Sequence, residues 1–312
     1  MSRVLVTGSL VYDNIMNFPG SFKDHILPDK VHILNVSFLV DNLHKNFGGT
    51  AGNIAYNLSL LGLSPMIMAS AGRDFWEYES WLKANEINFS YVKVHNDEYC
   101  AQAYITTDKD DNQITAFHPG AMNYANRLSM HDIKEKPEIV IVAPNDKQAM
   151  IKYMQEAKEL RIEAIFDPGQ QIPTFSDTEL KHCLKLANYI VVNDYELELI
   201  LEKTKLSQSE LLDHTKALLV TKGNEGSVIH DSKGSYKIPA FSPKKIVDPT
   251  GCGDAYRAGI IYGLLSHMSL EKAGRVASLL AANKISSPGG QNHKIELSEF
   301  KRQFKDWTGE EL

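Results

Sequence analysis

Ile139-Val140-Ile141-Val142, Ile162-Glu163-Ala164-Ile165-Phe166, Tyr189-Ile190-Val191-Val192 and Ala217-Leu218-Leu219-Val220 follow one another within 139–220, separated by helical patterns at 146–160, 176–187 and 194–203. Each run is short and almost continuously apolar, as in a strand buried on both faces. Strands alternating with helices in this way imply an α/β chain with a parallel sheet covered on both sides. Upstream, Val4-Leu5-Val6-Thr7-Gly8 reads as another central strand. Thr50–Leu61 reads as a helix with Ile54, Leu58 and Leu61 on one stripe and Gly62 as its stop, and Asp74–Glu86 as a second. Downstream, Val228–His230 and Tyr236–Ile238 suggest a hairpin, and Cys252–Leu265 and Leu270–Ile285 are long apolar helices. The early region differs. His32–Val40 alternates in part, like a strand with one covered face, and Tyr99–Thr107 with Gln113–Phe117 reads as a hairpin turned at Asp108–Asn112. Segments 10–45 and 97–120 are therefore expected to form a small lid sheet. No repeat, low-complexity tract or linker divides the chain, so 1–312 is read as one domain.

Composition narrows the class. A hydrophobic fraction of 43% and a charged fraction of 23% are those of an ordinary globular chain. A net charge of −6 argues against nucleic-acid or anionic-membrane partners. The apolar runs are shorter than a bilayer span, and no signal-like start appears at Met1. Cys100, Cys183 and Cys252 are scattered, which suggests a reduced, cytoplasmic protein without disulfides or a zinc site.

Chemistry concentrates in Asp248-Pro249-Thr250-Gly251-Cys252-Gly253-Asp254-Ala255-Tyr256-Arg257-Ala258-Gly259. Gly251 and Gly253 let backbone amides converge, and the helix that follows adds free N–H donors and a partial positive charge. Together they form a pocket for a developing anion. Asp254 is placed to take a proton from an attacking hydroxyl, a combination suited to phosphoryl transfer from a nucleotide to an alcohol. Gly48-Gly49-Thr50-Ala51-Gly52-Asn53 opens another helix; its glycines either admit a ligand against the backbone or simply make the turn. Asn193 and Glu196 follow a strand, and read equally as a capping box or as groups around hydrated magnesium. Thr221, Gly223 and Gly226 read as a hairpin turn or as a nucleotide contact. Asp13 is a solvated turn residue or an acceptor for vicinal hydroxyls. Neither G-x-G-x-x-G nor G-x-x-x-x-G-K-[ST] occurs, so dinucleotide and Walker-type loops are excluded.

Taken together, Gly48-Gly49-x-Ala51-x-Asn53-x-Ala55 with Gly62 and Gly72, the Asn193-x-x-Glu196 and Thr221-x-Gly223-x-x-Gly226 elements, and the 248–259 stretch resemble, in order and spacing, the ribokinase-like (PfkB) kinases. Cys252 departs from a common alanine and Tyr256 from a common phenylalanine. The resemblance spans the chain and is nearest the bacterial adenosine and nucleoside kinase branch. It implies a three-layer α/β/α sandwich with a mostly parallel central sheet and a small β-sheet lid. It implies ATP and Mg2+ as cofactors, with K+ a further candidate. By that resemblance Asp254 is the general base, with Gly251, Cys252 and Gly253 as the anion hole. Ser9, Asp13, Ser37, Gly48, Gly49, Asn53, Phe117 and Gln171 would bind the acceptor. Asn193, Thr221, Gly223, Gly226, Gly251, Gly253 and Asn283 would bind ATP, Glu196 would hold Mg2+ through water, and Asp248 and Thr250 a monovalent cation. The loop Ser287-Pro288-Gly289-Gly290-Gln291-Asn292-His293 would flank the nucleotide and that cation.

Ser37-Phe38-Leu39-Val40-Asp41 and Gln113–Met122 are similar to the lid and base-facing segments of the adenosine kinases, and Gln170 and Gln171 would line the same pocket. Phe117 is either a core residue or a platform for a purine. The expectation is phosphorylation of a nucleoside, first of all adenosine. A ribose- or fructose-type sugar kinase and a non-catalytic nucleoside-binding protein are the alternatives. The apolar residues Val31, Ile33, Leu34, Val36, Phe38 and Val40 imply a homodimer paired through the lid.

Overall fold

The computed structural model describes residues 4–26, 33 and 35–312. In chain order its elements are β1 (Val4–Thr7), β2 (Val11–Asn17), β3 (Asn42–Gly48), α1 (Thr50–Leu60), β4 (Met66–Gly72), α2 (Trp76–Ala84), β5 (Asn88–His95), β6 (Ala101–Thr107), β7 (Gln113–His118), β8 (Ile139–Val142), α3 (Lys147–Glu159), β9 (Glu163–Phe166), α4 (Asp177–Leu186), β10 (Tyr189–Asn193), α5 (Asp194–Thr204), α6 (Gln208–Leu212), β11 (Ala217–Thr221), β12 (Ser227–Asp231), β13 (Gly234–Ile238), α7 (Cys252–Leu265), α8 (Leu270–Lys284) and α9 (Leu297–Thr308).

The main sheet has nine strands in the order β13-β12-β11-β10-β9-β8-β1-β4-β5. It is parallel from β11 to β5, and the β12–β13 hairpin closes one edge antiparallel. Its two faces explain the all-apolar strands. Val4 and Val6 enter one core while Leu5 enters the other; Ile139 and Ile141 likewise oppose Val140 and Val142. Helices α1, α2, α7, α8 and α9 pack on the first face and α3 to α6 on the second, so the chain is an α/β/α sandwich. The α7–α8 crossing is close because α7 presents glycines: a Cβ on Gly259 would lie 2.4 Å from the Ala277 Cα.

A second sheet, β3-β2-β6-β7, stands off the first. The hairpin at 108–112 is as expected, with β6 and β7 paired antiparallel. The strand expected at 32–40 is not where that region pairs. Residues 35–40 form no strand, and β3 lies at Asn42–Gly48 instead; residues 27–32 and 34 lie outside the described set. The mostly polar β3 is held by its backbone ladder to β2 and by Phe47, whose ring packs on Tyr12, Tyr78 and Trp81. Phe38 packs on Phe18 and Phe22, which accounts for part of the apolar character of its segment. Among the described residues no helix is long and apolar enough to cross a membrane.

Candidate active site

The parallel strands end along one edge of the main sheet, and the residues just beyond those ends line a cleft of about 950 Å³. Ser9 follows β1, Pro144 follows β8, Asp167 follows β9, and Asn193 and Thr221 end β10 and β11. This is where open α/β sheets hold ligands. The lid supplies Val11, Asp13, Ala103 and Phe117 from above. A cavity of about 420 Å³ shares Thr221, Gly223 and Gly253 with the cleft and extends to Gly226, Phe241, Tyr256 and Ile285.

Two glycine turns shape the floor. Gly49 (φ 85°) precedes α1, and a Cβ there would lie 2.5 Å from the Ser9 carbonyl oxygen. Gly251 (φ 78°) precedes α7, and its Cβ would press on Gly290 at 3.1 Å. Asp248 staples this turn. Its Oδ1 accepts from the Thr250 N–H at 2.8 Å and its Oδ2 from the Gly289 N–H at 2.7 Å. Burial works against the Asp248 charge, yet these amide donors hold the carboxyl below its usual range.

Asp254 sits in the first turn of α7 and faces the cleft. Asn53 Nδ2 donates to its Oδ2 at 2.8 Å. Gln291 Nε2 donates to Asn53 Oδ1 at 3.0 Å, and Trp81 Nε1 donates to Gln291 Oε1 at 2.8 Å. Gln291 Nε2 also meets the Tyr78 hydroxyl, which donates to the Gly48 carbonyl at 2.6 Å. These contacts fix which end of each amide faces which partner, and so hold the Asp254 carboxylate in place. One Nδ2 hydrogen and one Oδ1 lone pair of Asn53 are thus taken up within the site. The helix-start field favours ionised Asp254, but burial outweighs it and raises the carboxyl to about 6. Asp254 still remains largely ionised at neutral pH, so a base at this position stays available. Asp13, beneath Gly48, is raised to about 7 by burial and by the Asp254 and Asp248 carboxylates.

One turn further along α7, buried Arg257 forms a two-pronged pair with buried Asp167, with Nη2 donating to Oδ1 at 2.8 Å. Its Nη1 donates to the Gly253 carbonyl at 3.2 Å, and its Nη2 lies 3.9 Å from Glu196. Asn193 and Glu196 form the capping box of α5, with each side chain bonded to the other's amide. Both also line the cleft, so the capping box forms part of its wall. Thr221 and Gly223 lie at the β11–β12 turn and border both cavities. Cys252 borders the smaller one, where burial pushes its thiol up to about 11. Tyr256 reaches the Ser227 hydroxyl at 2.7 Å, giving the tyrosine a polar partner that a phenylalanine would lack.

The structure brings Ser9, Asp13, Gly49, Asn53, Phe117 and Gln171 to one cleft with Asp254. Phe117 is 50% exposed there, so it is not a core residue. Gly48 lies behind Asp13. Two expected residues point elsewhere. Ser37 is exposed and outside the cleft lining, and Asn283 donates to Gln303 at 3.0 Å in a neighbouring cavity lined by Lys244 and Arg302. The Asp248 carbonyl, expected to face a monovalent cation, accepts instead from Lys284 Nζ at 2.8 Å. The loop that holds Gln291 was expected to flank the nucleotide, but its bond to Asn53 was not foreseen, and neither the Arg257–Asp167 pair nor Lys284 had an expected role. Each partnership joins distant segments, and only the glycines flanking Gln291 hinted at a shaped loop.

A sheet-edge cleft with a carboxylate at a glycine-preceded helix start defines a small-molecule phosphotransferase. The sequence profile of the pfkB family carbohydrate kinases matches residues 2–296, and the chain belongs to that family, whose members are phosphotransferases acting on an alcohol group. The chain is 31% identical to a nucleoside kinase of Methanocaldococcus jannaschii over 94% of its own length and 93% of the relative's. The solved structure of Burkholderia thailandensis nucleoside kinase in complex with inosine is similar at 39% identity and a TM-score of 0.91, covering 99% of this chain and 98% of that one. The Methanocaldococcus jannaschii nucleoside kinase structure superposes with a TM-score of 0.90 at 30% identity, covering 98% of this chain and 99% of that one.

Proposed function

We propose that this chain is an ATP-dependent nucleoside kinase that phosphorylates the 5′-hydroxymethyl group, with adenosine as its first acceptor and Asp254 as general base. One observation carries the reading: a single cleft joins Asp254, the hydroxyl-binding candidates Asp13 and Asn53, and the half-exposed ring of Phe117 on the lid. A free sugar needs the first two features but has no use for an aromatic platform. The relatives named nucleoside kinases support the acceptor class, and the neighbour solved with inosine supports a purine nucleoside as acceptor.

In this reading the 5′-hydroxyl passes its proton to the Asp254 carboxylate as its oxygen attacks the γ-phosphorus and the bond to ADP breaks. The first-turn amides of α7 meet the charge on the transferring group. ATP would run from the smaller cavity, with its base near Phe241, Tyr256 and Ile285, towards Gly251 and Gly253. Oxygen donors on Asp194 and Glu196 at the cleft suit hydrated Mg2+, which would neutralise the phosphates when bound. The free Cys100, Cys183 and Cys252 fit a reducing cytoplasm.

An ADP-release assay across adenosine, inosine, guanosine, ribose and fructose tests the acceptor. Nucleosides should be turned over in preference to sugars, and Phe117→Ala should raise the nucleoside KM roughly tenfold, as loss of one stacking platform implies. Ribose turnover far above that of every nucleoside would instead favour the sugar-kinase alternative. ATP binding without turnover of any acceptor would favour the non-catalytic one.

The lid also supports a homodimer. All six residues of the edge strand β7 are exposed, and Leu39 and Leu43 are 85% and 63% exposed elsewhere on the lid. Such an edge favours pairing with a second copy. Sedimentation at micromolar concentration should give twice the chain mass; a purely monomeric species would refute the pairing.

A further inference from the structure

Lys284, the last residue of α8, is wholly buried. Its Nζ donates to the Asp248 carbonyl at 2.8 Å and to the Ser287 carbonyl at 3.3 Å. These oxygens belong to the two segments, 248–250 and 287–293, between which the family resemblance places a monovalent cation. The fit to such an ion is poor. The Asp248 carbonyl is already engaged by an ammonium group, and a second positive charge sharing that oxygen would be repelled.

The surroundings favour a cation supplied by the chain. Lys284 is the last residue of α8, and the C-terminal end of a helix carries partial negative charge. The Val247 and Asp248 amides bond to the Ile285 carbonyl at 2.9 and 3.1 Å, which ties the glycine turn to this helix end. Burial lowers the Lys284 amine, while the Asp248 and Asp254 carboxylates act to keep it charged. Its charge in turn helps to hold down the Asp254 carboxyl.

We propose that the Lys284 ammonium is a built-in replacement for the monovalent cation, bracing the glycine turn beneath Asp254 and making the enzyme independent of K+. The proposal rests on the kinase reading for its activity arm only.

The test compares the full-length protein in K+ and in tetramethylammonium at equal ionic strength, by thermal unfolding and by nucleoside-dependent ADP release. Unliganded wild type should unfold at the same temperature in both salts, and its kcat should differ by less than about twofold. Lys284→Met should lose turnover about 10- to 100-fold, a loss in the range for one group stabilising a site electrostatically. In Lys284→Ala, K+ or NH4+ should raise the unfolding temperature and restore part of the turnover, which loss of packing alone would not produce. A K+-specific stabilisation of wild type, or activation of it beyond about tenfold, would overturn the proposal. So would a Lys284→Met protein fully active without any cation. If the variants do not fold, the wild-type salt series decides alone. The unfolding arm needs no acceptor, so absence of nucleoside turnover in every salt would count against the kinase reading and leave the cation result standing.

Discussion

Asp254→Asn is expected to fold normally and to lose turnover by about 10²–10⁴-fold, the range for removal of a positioned base. The amide oxygen that this substitution leaves at position 254 can still accept from Asn53 Nδ2, so the amide chain through Gln291 and Trp81 is kept. The KM for the nucleoside should move little, because the lost interaction forms only as the proton leaves. The pH behaviour has two parts. A base raised to about 6, beside Asp13 raised to about 7, should make wild-type kcat/KM, which follows the groups of the free enzyme, climb between roughly pH 5 and 8 and then level off. Stability runs the other way. A carboxyl whose folded value lies above its ordinary one stabilises the fold below that ordinary value and ceases to do so as pH rises through the folded value. The unliganded enzyme should therefore lose stability between about pH 4 and 7, and Asp254→Asn should unfold at a higher temperature than wild type at pH 8. Thermal unfolding across pH, run beside steady-state kinetics, checks both. Wild-type-like turnover in Asp254→Asn would remove the proposed base.

The second large effect is expected at Arg257. Its guanidinium is buried, and Asp167 has a side chain only 2% exposed. Arg257→Met leaves that carboxylate without its cation, a change that typically costs about 3–5 kcal/mol. For a chain of this size the unfolding temperature should fall by roughly 5–8 °C. Turnover should fall as well, because Arg257 also bonds the Gly253 carbonyl within the first turn of α7, beside Asp254. The Arg257→Met/Asp167→Leu double variant removes both charges and should regain most of the stability without regaining turnover. Unfolding curves of wild type, both single variants and the double variant test this. A single variant within about 1 kcal/mol of wild type would show that the pair is not a structural requirement.

Strands such as Ile139–Val142 were legible because helices cover both sheet faces, which forces nearly every residue to be apolar. The glycine turns at 48–52 and 248–253 were legible because few other residues make those backbone angles beside a packed neighbour. β3 was not, because Asn42–Gly48 is polar and mostly exposed and its partner β2 holds it through backbone bonds. Helix α9 was also missed, although Leu297, Phe300, Phe304 and Trp307 recur at helical spacing and pack in or against the core; the charged residues between them, and its place beyond the last glycine loop, drew no reading. At the site, Asp254 and Phe117 announced themselves through local sequence. The groups that orient and charge the site did not. Gln291 reaches Asn53 across 238 positions, Arg257 reaches Asp167 across 90, and Lys284 reaches Asp248 across 36. Local pattern holds no trace of such pairs, and Lys284 reads simply as a lysine near a helix end.

In the proposed reaction Asp254 receives the proton of the attacking hydroxyl. A crystal structure of this chain with a nucleoside and a non-hydrolysable ATP analogue tests it most directly. The 5′-oxygen is expected within about 3.2 Å of the Asp254 carboxylate and in line with the γ-phosphorus. A 5′-oxygen turned away from Asp254, with another group at hydrogen-bond distance from it, would contradict the account.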